Sequence, residues 1–170
     1  MTTYFFVESA MPLNIRPATR EDAALILRFI TELAIYERAE HEVKTDVAGI
    51  ETSLFCQDAS ASALICERDG QPIGYAVYFF NYSTWLGRNG LYLEDLYVTP
   101  EARGTGAGKA LLKHLARLAL AHDCGRFEWS VLDWNEPAIQ FYESLGARPQ
   151  EEWTTYRLTG AALLALAEQP

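Results

Sequence analysis

The chain has 170 residues, of which 49% are hydrophobic and 22% charged, and its formal net charge is −9 at pH 7. A chain of this length is expected to form one domain that buries roughly 70% of the surface of its unfolded state, so folding requires neither a disulfide nor a metal. The negative charge argues against nucleic acids and anionic membranes as partners, because both bind basic surfaces, and it favours cationic partners.

The cysteines and the N-terminal residues indicate the cellular compartment of the protein. Cys56, Cys66 and Cys124 are odd in number and lack the spacing of a metal site, which favours free thiols in a reducing compartment. The first residues contain neither the basic segment nor the long apolar core of a secretory signal, and the apolar runs are too short to span a bilayer. We therefore expect a cytoplasmic protein.

The N-terminal part of the chain predicts a strand and a helix. Residues 1–12 precede the first regular pattern and form either a tail or an added edge strand. Residues 13–16 alternate as a short strand that Pro17 ends. Thr19 and Asp22 match a shortened capping box at the start of a helix. The buried face of this helix is predicted from apolar residues at helical spacing: Leu25, Ile26, Phe29, Ile30 and Leu33.

The rest of the chain alternates between strand and helix patterns. Residues 47–55 indicate a second, shorter helix, and Asp69-Gly70 joins two β-rich runs as a hairpin. The further predicted elements are strands at 61–67 and 73–81, a loop at 82–89, a strand at 91–98 buried on both faces, a helix at 106–122, a strand at 126–132, a helix at 136–144, a strand at 154–158 and a helix at 161–168. Without repeats or linkers, this order predicts one mixed α/β sheet with helices on both faces.

A glycine-rich turn between the strand at 91–98 and the following helix is the most specific feature. Gly104, Gly106 and Gly108 let backbone N–H groups point outward with no Cβ atoms in front of them, at the positive end of a helix dipole. Arg103 and Lys109 flank the turn, so a pyrophosphate is the expected ligand. The spacing fits neither a P-loop nor a dinucleotide fingerprint. The alternative is a turn that only caps the helix.

Two adjacent carboxylates, Glu94 and Asp95, lie in the strand that leads to this turn. Burying an unpaired charge is costly, so each must be paired, hydrogen-bonded or solvated. Adjacent strand residues face opposite sides unless a bulge re-aims them, so one carboxylate is expected in an active cleft. Glu94 is the candidate, and for Asp95 a role in capping a neighbouring loop is an equal alternative.

The pattern Arg103-x-x-Gly106-x-Gly108, after Val98-x-Pro100, resembles the acyl-CoA pyrophosphate loop of the GNAT superfamily of N-acetyltransferases. A second superfamily segment, Asn-x-x-Ala-x-x-x-Tyr-x-x-x-Gly, is matched by Asn135, Ala138, Tyr142 and Gly146. By itself the Phe141-Tyr142 pair would more often be core. The resemblance implies a GNAT-type mixed, largely antiparallel central sheet, with acetyl-CoA as co-substrate and no metal.

Further blocks look like the diamine (spermidine/spermine) N-acetyltransferase family, and the likeness covers nearly the whole chain from Ile15 onward. The blocks are Arg16-Pro17-Ala18-Thr19, Glu32-Leu33-Ala34-x-Tyr36-Glu37, Trp85-x-Gly87, Leu91-Tyr92-Leu93-Glu94-Asp95 and Trp134-Asn135-Glu136-Pro137. This likeness, together with the apolar C-terminal helix, suggests a homodimer. By the resemblance, acetyl-CoA would contact Leu96, Tyr97, Val98, Arg103, Gly104, Thr105, Gly106, Ala107, Gly108, Lys109, Asn135, Glu136, Pro137 and Ala138. The amine substrate would contact Tyr36, Glu37, Trp85, Glu94, Glu128, Trp129 and Ser130.

The chemistry assigns roles to a few of these groups. An alkylammonium has no lone pair, so Glu94, through water, is the candidate base that removes its proton. The strand amide near Leu96 would polarise the thioester carbonyl. By the resemblance, Tyr142 would be the general acid that meets the departing thiolate. The isolated histidines are interpreted as solvated helix residues, neither catalytic nor metal-binding: His41, His114 and His122.

The sequence leaves the acetyl acceptor open among small cationic amines: a diamine or polyamine, or a thialysine- or lysine-like amine. Two departures from the family pattern lie on the substrate side, because Ser83 replaces an acidic residue and Tyr156 replaces a tryptophan. They put selectivity for polyamines in doubt. The alternatives are a non-catalytic module that binds acyl-CoA, or an acetyltransferase for a protein or antibiotic amine.

Overall fold

The structure is a computed structural model that describes residues 12–169. The question of a tail or edge strand before Pro12 lies outside these residues. The strands are β1 (Leu13–Pro17), β2 (Ser62–Arg68), β3 (Gln71–Ser83), β4 (Arg88–Val98) and β5 (Phe127–Trp129). The helices are α1 (Ala23–Tyr36), α2 (Val47–Leu54), α3 (Ala107–Ala121), α4 (Glu136–Ser144) and α5 (Gly160–Ala167). Among the described residues, those up to Ser130 form one compact unit, and those from Val131 form a second.

The strands of the first unit form one sheet in the order β1-β2-β3-β4-β5. The pairs from β1 to β4 are antiparallel, whereas β4 and β5 are parallel. A tight turn joins β2 to β3, and Asp69 and Gly70 both have positive φ there (53° and 71°), as an Asp-Gly hairpin turn requires. The sheet is thus mixed and largely antiparallel, as predicted.

Helices cover both faces of this sheet. Ile26 and Phe29 of α1 are fully buried against Ile65, Tyr75 and Tyr97 of the strands. The alternate strand residues face the other way, and α3 packs on that side through the buried Leu111 and Leu115. Full burial of one such apolar side chain contributes about 1.5–3 kcal/mol, so the two helix faces fix the sheet between them.

The start of α1 is tied to the sheet by buried charges. Thr19 donates its backbone N–H to Asp22 Oδ2 (2.8 Å), which is half of the predicted capping box, and a short 3-10 turn at Arg20–Asp22 leads into the helix. Arg16 of β1 pairs with Asp22 (2.7 Å) and with Glu67 of β2 (2.8 Å). The hydrogen bond from Arg16 lowers the pKa of Asp22, so this buried carboxylate stays ionised.

Three sequence predictions differ from the structure. The loop predicted at 82–89 is only a four-residue turn, because Tyr82 and Ser83 pair with Asn89 and Arg88 and extend the hairpin. The strand predicted at 126–132 shortens to β5, since only three of its residues find partners on β4. Residues 154–158 form no strand, because no strand of the described chain pairs with them and Tyr156 is 93% exposed. The other predicted strands and helices are confirmed within about three residues of their ends.

Candidate functional site

The glycine-rich turn has the backbone conformation that an anion site needs. Gly104 and Gly106 have φ of 73° and 91°, which side-chain-bearing residues rarely adopt. A Cβ atom at either position would meet no atom within 4 Å, so the space in front of the turn is open. The first backbone hydrogen bond of α3 runs from Ala110 N–H to Gly106 O (2.9 Å), which leaves the N–H groups before it without a partner inside the helix. An anion can bind to these groups.

Arg103 connects this turn with α1. Its Nε donates to the carbonyl of Val98 (3.0 Å), and its guanidinium lies 5.0 Å from the ring centre of Tyr36 and 5.7 Å from that of Tyr97. Burial and a hydrogen bond with Glu32 raise the pKa of Tyr97 to about 12, so its phenol stays neutral. These side chains line a cavity of about 630 Å³. Residues predicted to bind cofactor (Arg103, Tyr97) and substrate (Tyr36) therefore lie together.

A β-bulge in β4 decides where the adjacent carboxylates point. Val77 of β3 pairs with Asp95, but the next residue, Tyr78, pairs with Leu93, so Glu94 is the extra residue of the bulge. Asp95 consequently shares the α1 face of the sheet with Val77 and Tyr97. Glu94 is exposed at the bulge. The sequence alone left open whether a bulge changes the direction of these carboxylates, and the structure contains such a bulge.

Asp95 is part of a partly buried acidic group that also includes Glu37. The hydroxyl of Tyr75, a residue with 0% exposure, donates to Asp95 Oδ2 (2.6 Å). Burial raises the pKa of Asp95, and burial together with the charge of Asp95 raises the pKa of Glu37. Glu37 lies at the end of α1, next to Tyr36. An ammonium placed between the two carboxyl groups would compensate both, so this arrangement suits a cationic ligand.

Replacing Asp95 with asparagine is expected to separate binding from stability. Because the folded-state pKa of Asp95 is raised above 3.8, its contribution to folding is favourable below that value and is lost as the pH rises through the raised pKa. At pH 9 the neutral amide should therefore increase stability by on the order of 1 kcal/mol, or about 2–4 °C in Tm, and the gain should vanish at pH 3.5. The amine KM should rise about tenfold or more, with little change in the acetyl-CoA KM.

Asp123→Asn is the control for this substitution, since Asp123 is exposed and pairs with Arg88 (3.3 Å) at the surface, away from Asp95. Thermal unfolding at both pH values and steady-state kinetics provide the measurements. An Asp95→Asn chain with unchanged amine KM would show that this carboxylate does not bind the substrate.

The predicted substrate residues of β5 lie beside β4, with Glu128 opposite Tyr92. The carboxylate of Glu128 pairs with Arg126 Nε (2.8 Å), so part of its charge is already compensated. Trp129 is half-buried, and its ring stacks edge-on against Phe127 (4.9 Å between centroids). Ser130 exchanges a hydrogen bond with the hydroxyl of Tyr92 (2.7 Å). This segment forms a polar wall along β4.

Trp85 is not brought close to the acidic group within this chain. It lies at the tip of the β3–β4 hairpin with 87% exposure, at the opposite end of β4 from the glycine turn. Asp95 is seven residues further along the strand than Arg88, which corresponds to about 23 Å. Ser83 is buried beneath the same turn and accepts a hydrogen bond from the N–H of Leu86 (3.3 Å). The hydroxyl here supports a turn, where an acid would supply charge.

The second unit contains the other predicted segment. Asn135 precedes α4 as its N-cap, and Pro137 occupies the first turn, as predicted. Tyr142 lies two turns along this helix, half-buried, with its ring 5.5 Å from that of Phe141. Gly146 ends the segment with φ of 91°. The proposed role of Tyr142 as an acid is not tested by these contacts and stays a prediction.

Two residues of the site were missed or undervalued by the sequence reasoning. Asp95 had an equal chance of being a loop cap, and Tyr75 looked like one of many apolar residues in a buried strand. No local pattern marks Tyr75, since its partner Asp95 lies 20 residues away. The one available signal was the costly second carboxylate in a buried strand, which required a donor.

Among residues 12–169, no three or more His, Cys, Asp and Glu side chains are grouped so that they could hold a metal ion. Within the same range, every helix is too short or too polar to cross a bilayer.

Comparisons with known proteins identify the family. Residues 28–147 match the model of the acetyltransferase (GNAT) family. The thialysine N-epsilon-acetyltransferase of Sus scrofa is 41% identical over 164 residues, which cover 90% of this chain and 96% of that protein. The L-ornithine N5-acetyltransferase of Arabidopsis thaliana is 31% identical, over 90% of this chain and 87% of the relative.

A solved structure agrees with the fold. The integron cassette protein from the mobile metagenome of V. cholerae superposes with a TM-score of 0.78 at 26% identity, covering 94% of this chain and 99% of the other. The resemblance inferred from the glycine turn and the diamine-acetyltransferase blocks is thereby confirmed. The chain belongs to the GNAT family of acetyltransferases, in the group of thialysine and diamine N-acetyltransferases.

Proposed function

We propose that this acetyltransferase transfers the acetyl group of acetyl-CoA to the primary amine of a small cationic substrate, either a short diamine or a lysine-like amino acid. The observation that carries the proposal is the partly buried acidic group of Glu37 and Asp95, in which Tyr75 donates a hydrogen bond to Asp95. This group lies next to Tyr36 and to the end of β4 that leads to the glycine turn. An acetyltransferase with such an acidic group is suited to a cationic acceptor.

Acetyl-CoA, as co-substrate, would be held by the glycine turn and the end of β4. The open space beside Gly104 and Gly106 suits a pyrophosphate, because the N–H groups of the first turn of α3 precede the first backbone hydrogen bond of the helix and a helix N-terminus favours anions. Lys109 is exposed beside these groups and adds a positive charge. In the second unit, the segment from Asn135 to Ala138 remains the proposed second contact.

Proton removal from the amine is assigned to Glu94, acting through water. Glu94 is exposed at the bulge, where water can reach it, whereas Asp95 lies on the α1 face of the sheet and accepts a hydrogen bond from Tyr75, a position that favours contact with the cation. The thioester of acetyl-CoA is then attacked directly by the neutral amine. The bulge thus supports different roles for the two adjacent carboxylates, with Glu94 as the base and Asp95 as a contact for the cation.

The acceptor is expected to be short or amino-acid-like. A polyamine needs carboxylates spaced along a groove. Ser83, which replaces an acidic residue of the family, instead accepts a hydrogen bond within a turn, and the acidic group at Asp95 occupies a single place on the sheet. The similarity to enzymes named for thialysine and L-ornithine supports an amino-acid amine. We expect kcat/KM for short diamines and lysine-like amines to be at least equal to that for spermine.

A screen of amines by release of free CoA tests this function. The panel holds spermine, spermidine, short diamines, thialysine, lysine, ornithine, a lysine peptide and an aminoglycoside. A kcat/KM for spermine ten times that for every shorter amine would contradict the acceptor class. Turnover confined to the peptide or the aminoglycoside would favour a protein or antibiotic amine, and tight acetyl-CoA binding without any turnover would favour a binding module.

Two further expectations belong to this proposal. The family match runs from residue 28 to residue 147 and so crosses the boundary at Ser130, which supports one acetyltransferase domain made of both units. The exposed leucines of α5, Leu163, Leu164 and Leu166, support a homodimer, because exposed apolar clusters commonly mark interfaces.

A further inference from the structure

Arg68 lies at the same end of the sheet as the glycine turn, although the two are far apart in sequence. It is the last residue of β2, and β2 pairs with β3 through Cys66 and Gly74. Gly74 in turn pairs with Val98, the last residue of β4. The end of β2 is therefore two strands away from the point where β4 leads into the turn.

One hydrogen bond joins the two. Nη2 of Arg68 donates to Oγ1 of Thr105 (2.6 Å), and Thr105 stands between Gly104 and Gly106. The Thr105 hydroxyl donates in turn to the carbonyl of Ala102, so its orientation is fixed. The guanidinium of Arg68 is thereby held against the middle of the glycine turn.

Among residues 12–169, no carboxylate forms an ion pair with Arg68. In the described part of the chain, five other arginines each pair with an acidic side chain: Arg16, Arg20, Arg28, Arg88 and Arg126. Arg68 makes no such pair there, in a chain of net charge −9. A guanidinium carries five N–H donors, and the contact with Thr105 uses only one. The remaining donors can bind an anion at the turn.

We propose that Arg68 binds the pyrophosphate of acetyl-CoA, together with the backbone N–H groups of the glycine turn. This inference rests on the proposed function. Arginine matches a phosphate through two parallel N–H groups, which a lysine cannot do. The hydrogen bond to Thr105 keeps the guanidinium at the turn before the anion arrives, so less side-chain entropy is lost on binding. The end of β2, which no cofactor motif includes, thus supplies a cofactor-binding residue.

Calorimetric binding of CoA and of 3′-dephospho-CoA tests the proposal without recourse to turnover. Arg68→Gln should weaken both ligands about tenfold or more, and Arg68→Lys should recover part of the loss. Arg88→Gln is the matched control, since Arg88 begins β4 at the opposite end and pairs with the exposed Asp123. Equal losses for the two ligands would support contact with the pyrophosphate.

Other outcomes would overturn the inference in distinguishable ways. A loss for CoA alone would assign Arg68 to the 3′-phosphate. If Thr105→Val reproduced the loss and Arg68→Gln added nothing in that background, Arg68 would act only by holding the turn. Unchanged affinity in Arg68→Gln would remove Arg68 from the site while leaving the proposed function intact. Failure of the wild-type chain to bind CoA would end both.

Discussion

Gly106→Val is expected to raise the KM for acetyl-CoA about tenfold or more, equivalent to about 1.4 kcal/mol, with little change in the amine KM. The structure shows two reasons. Gly106 has φ of 91°, a conformation that a β-branched residue adopts only with strain. The space that its Cβ would enter is free of protein atoms within 4 Å, so the added side chain would stand where a pyrophosphate must approach.

A control for Gly106→Val must introduce the same backbone strain at a glycine outside the proposed cofactor site. Gly160 also has positive φ (56°) and no atom within 4 Å of a built Cβ, and it belongs to the start of α5. Gly160→Val should lower Tm to a similar extent and leave the acetyl-CoA KM unchanged. If the amine KM rose in Gly106→Val and that of acetyl-CoA stayed the same, the glycine turn would not be the cofactor site.

Tyr142→Phe is expected to lower kcat by roughly 100-fold, the lower end of the range for loss of a general acid. The reason is that charge on the departing sulfur develops only in the transition state, so both KM values should change little. Phenylalanine keeps the ring and its contact with Phe141 (5.5 Å), and Tm should therefore remain close to that of the wild type.

Tyr78→Phe is the control for the lost hydroxyl, because Tyr78 is half-buried on β3 and faces away from α1. Single-turnover kinetics would separate the chemical step from product release. A Tyr142→Phe enzyme with full kcat in such an experiment would show that the thiolate departs without help from this phenol.

Local signals explain which parts of the fold could be predicted. The Asp69-Gly70 turn, the cap at Thr19 and the glycine turn before α3 each depend on a few neighbouring residues whose conformational preferences are strong. The strand predicted at 154–158 had only an alternating pattern, and such a pattern becomes a strand only when a partner is available. The hairpin at Ser83 was missed for the opposite reason, because its partner Arg88 overrides a loop-like composition.

In the candidate site, too, the features that depend on neighbouring residues could be predicted and those that depend on distant residues could not. The sequence located the anion turn and the pair Glu94-Asp95, but the placement of that pair depends on the register between β3 and β4, which is a property of two strands. The contacts of Asp95 with Tyr75, and of Arg68 with Thr105, join residues 20 and 37 positions apart. No motif within one segment contains them, so only the folded chain shows them.

The bulge at Glu94 also bears on the solubility of the sheet. β5 pairs only as far as Leu93, so no strand of the described residues pairs with that side of β4 from Glu94 to Val98. An open strand edge is a template for aggregation, and natural sheets protect such edges with bulges and charged side chains. Glu94 provides both at the first open position. The residue proposed to take a proton from the substrate therefore also discourages the strand that carries it from pairing with another copy of the chain.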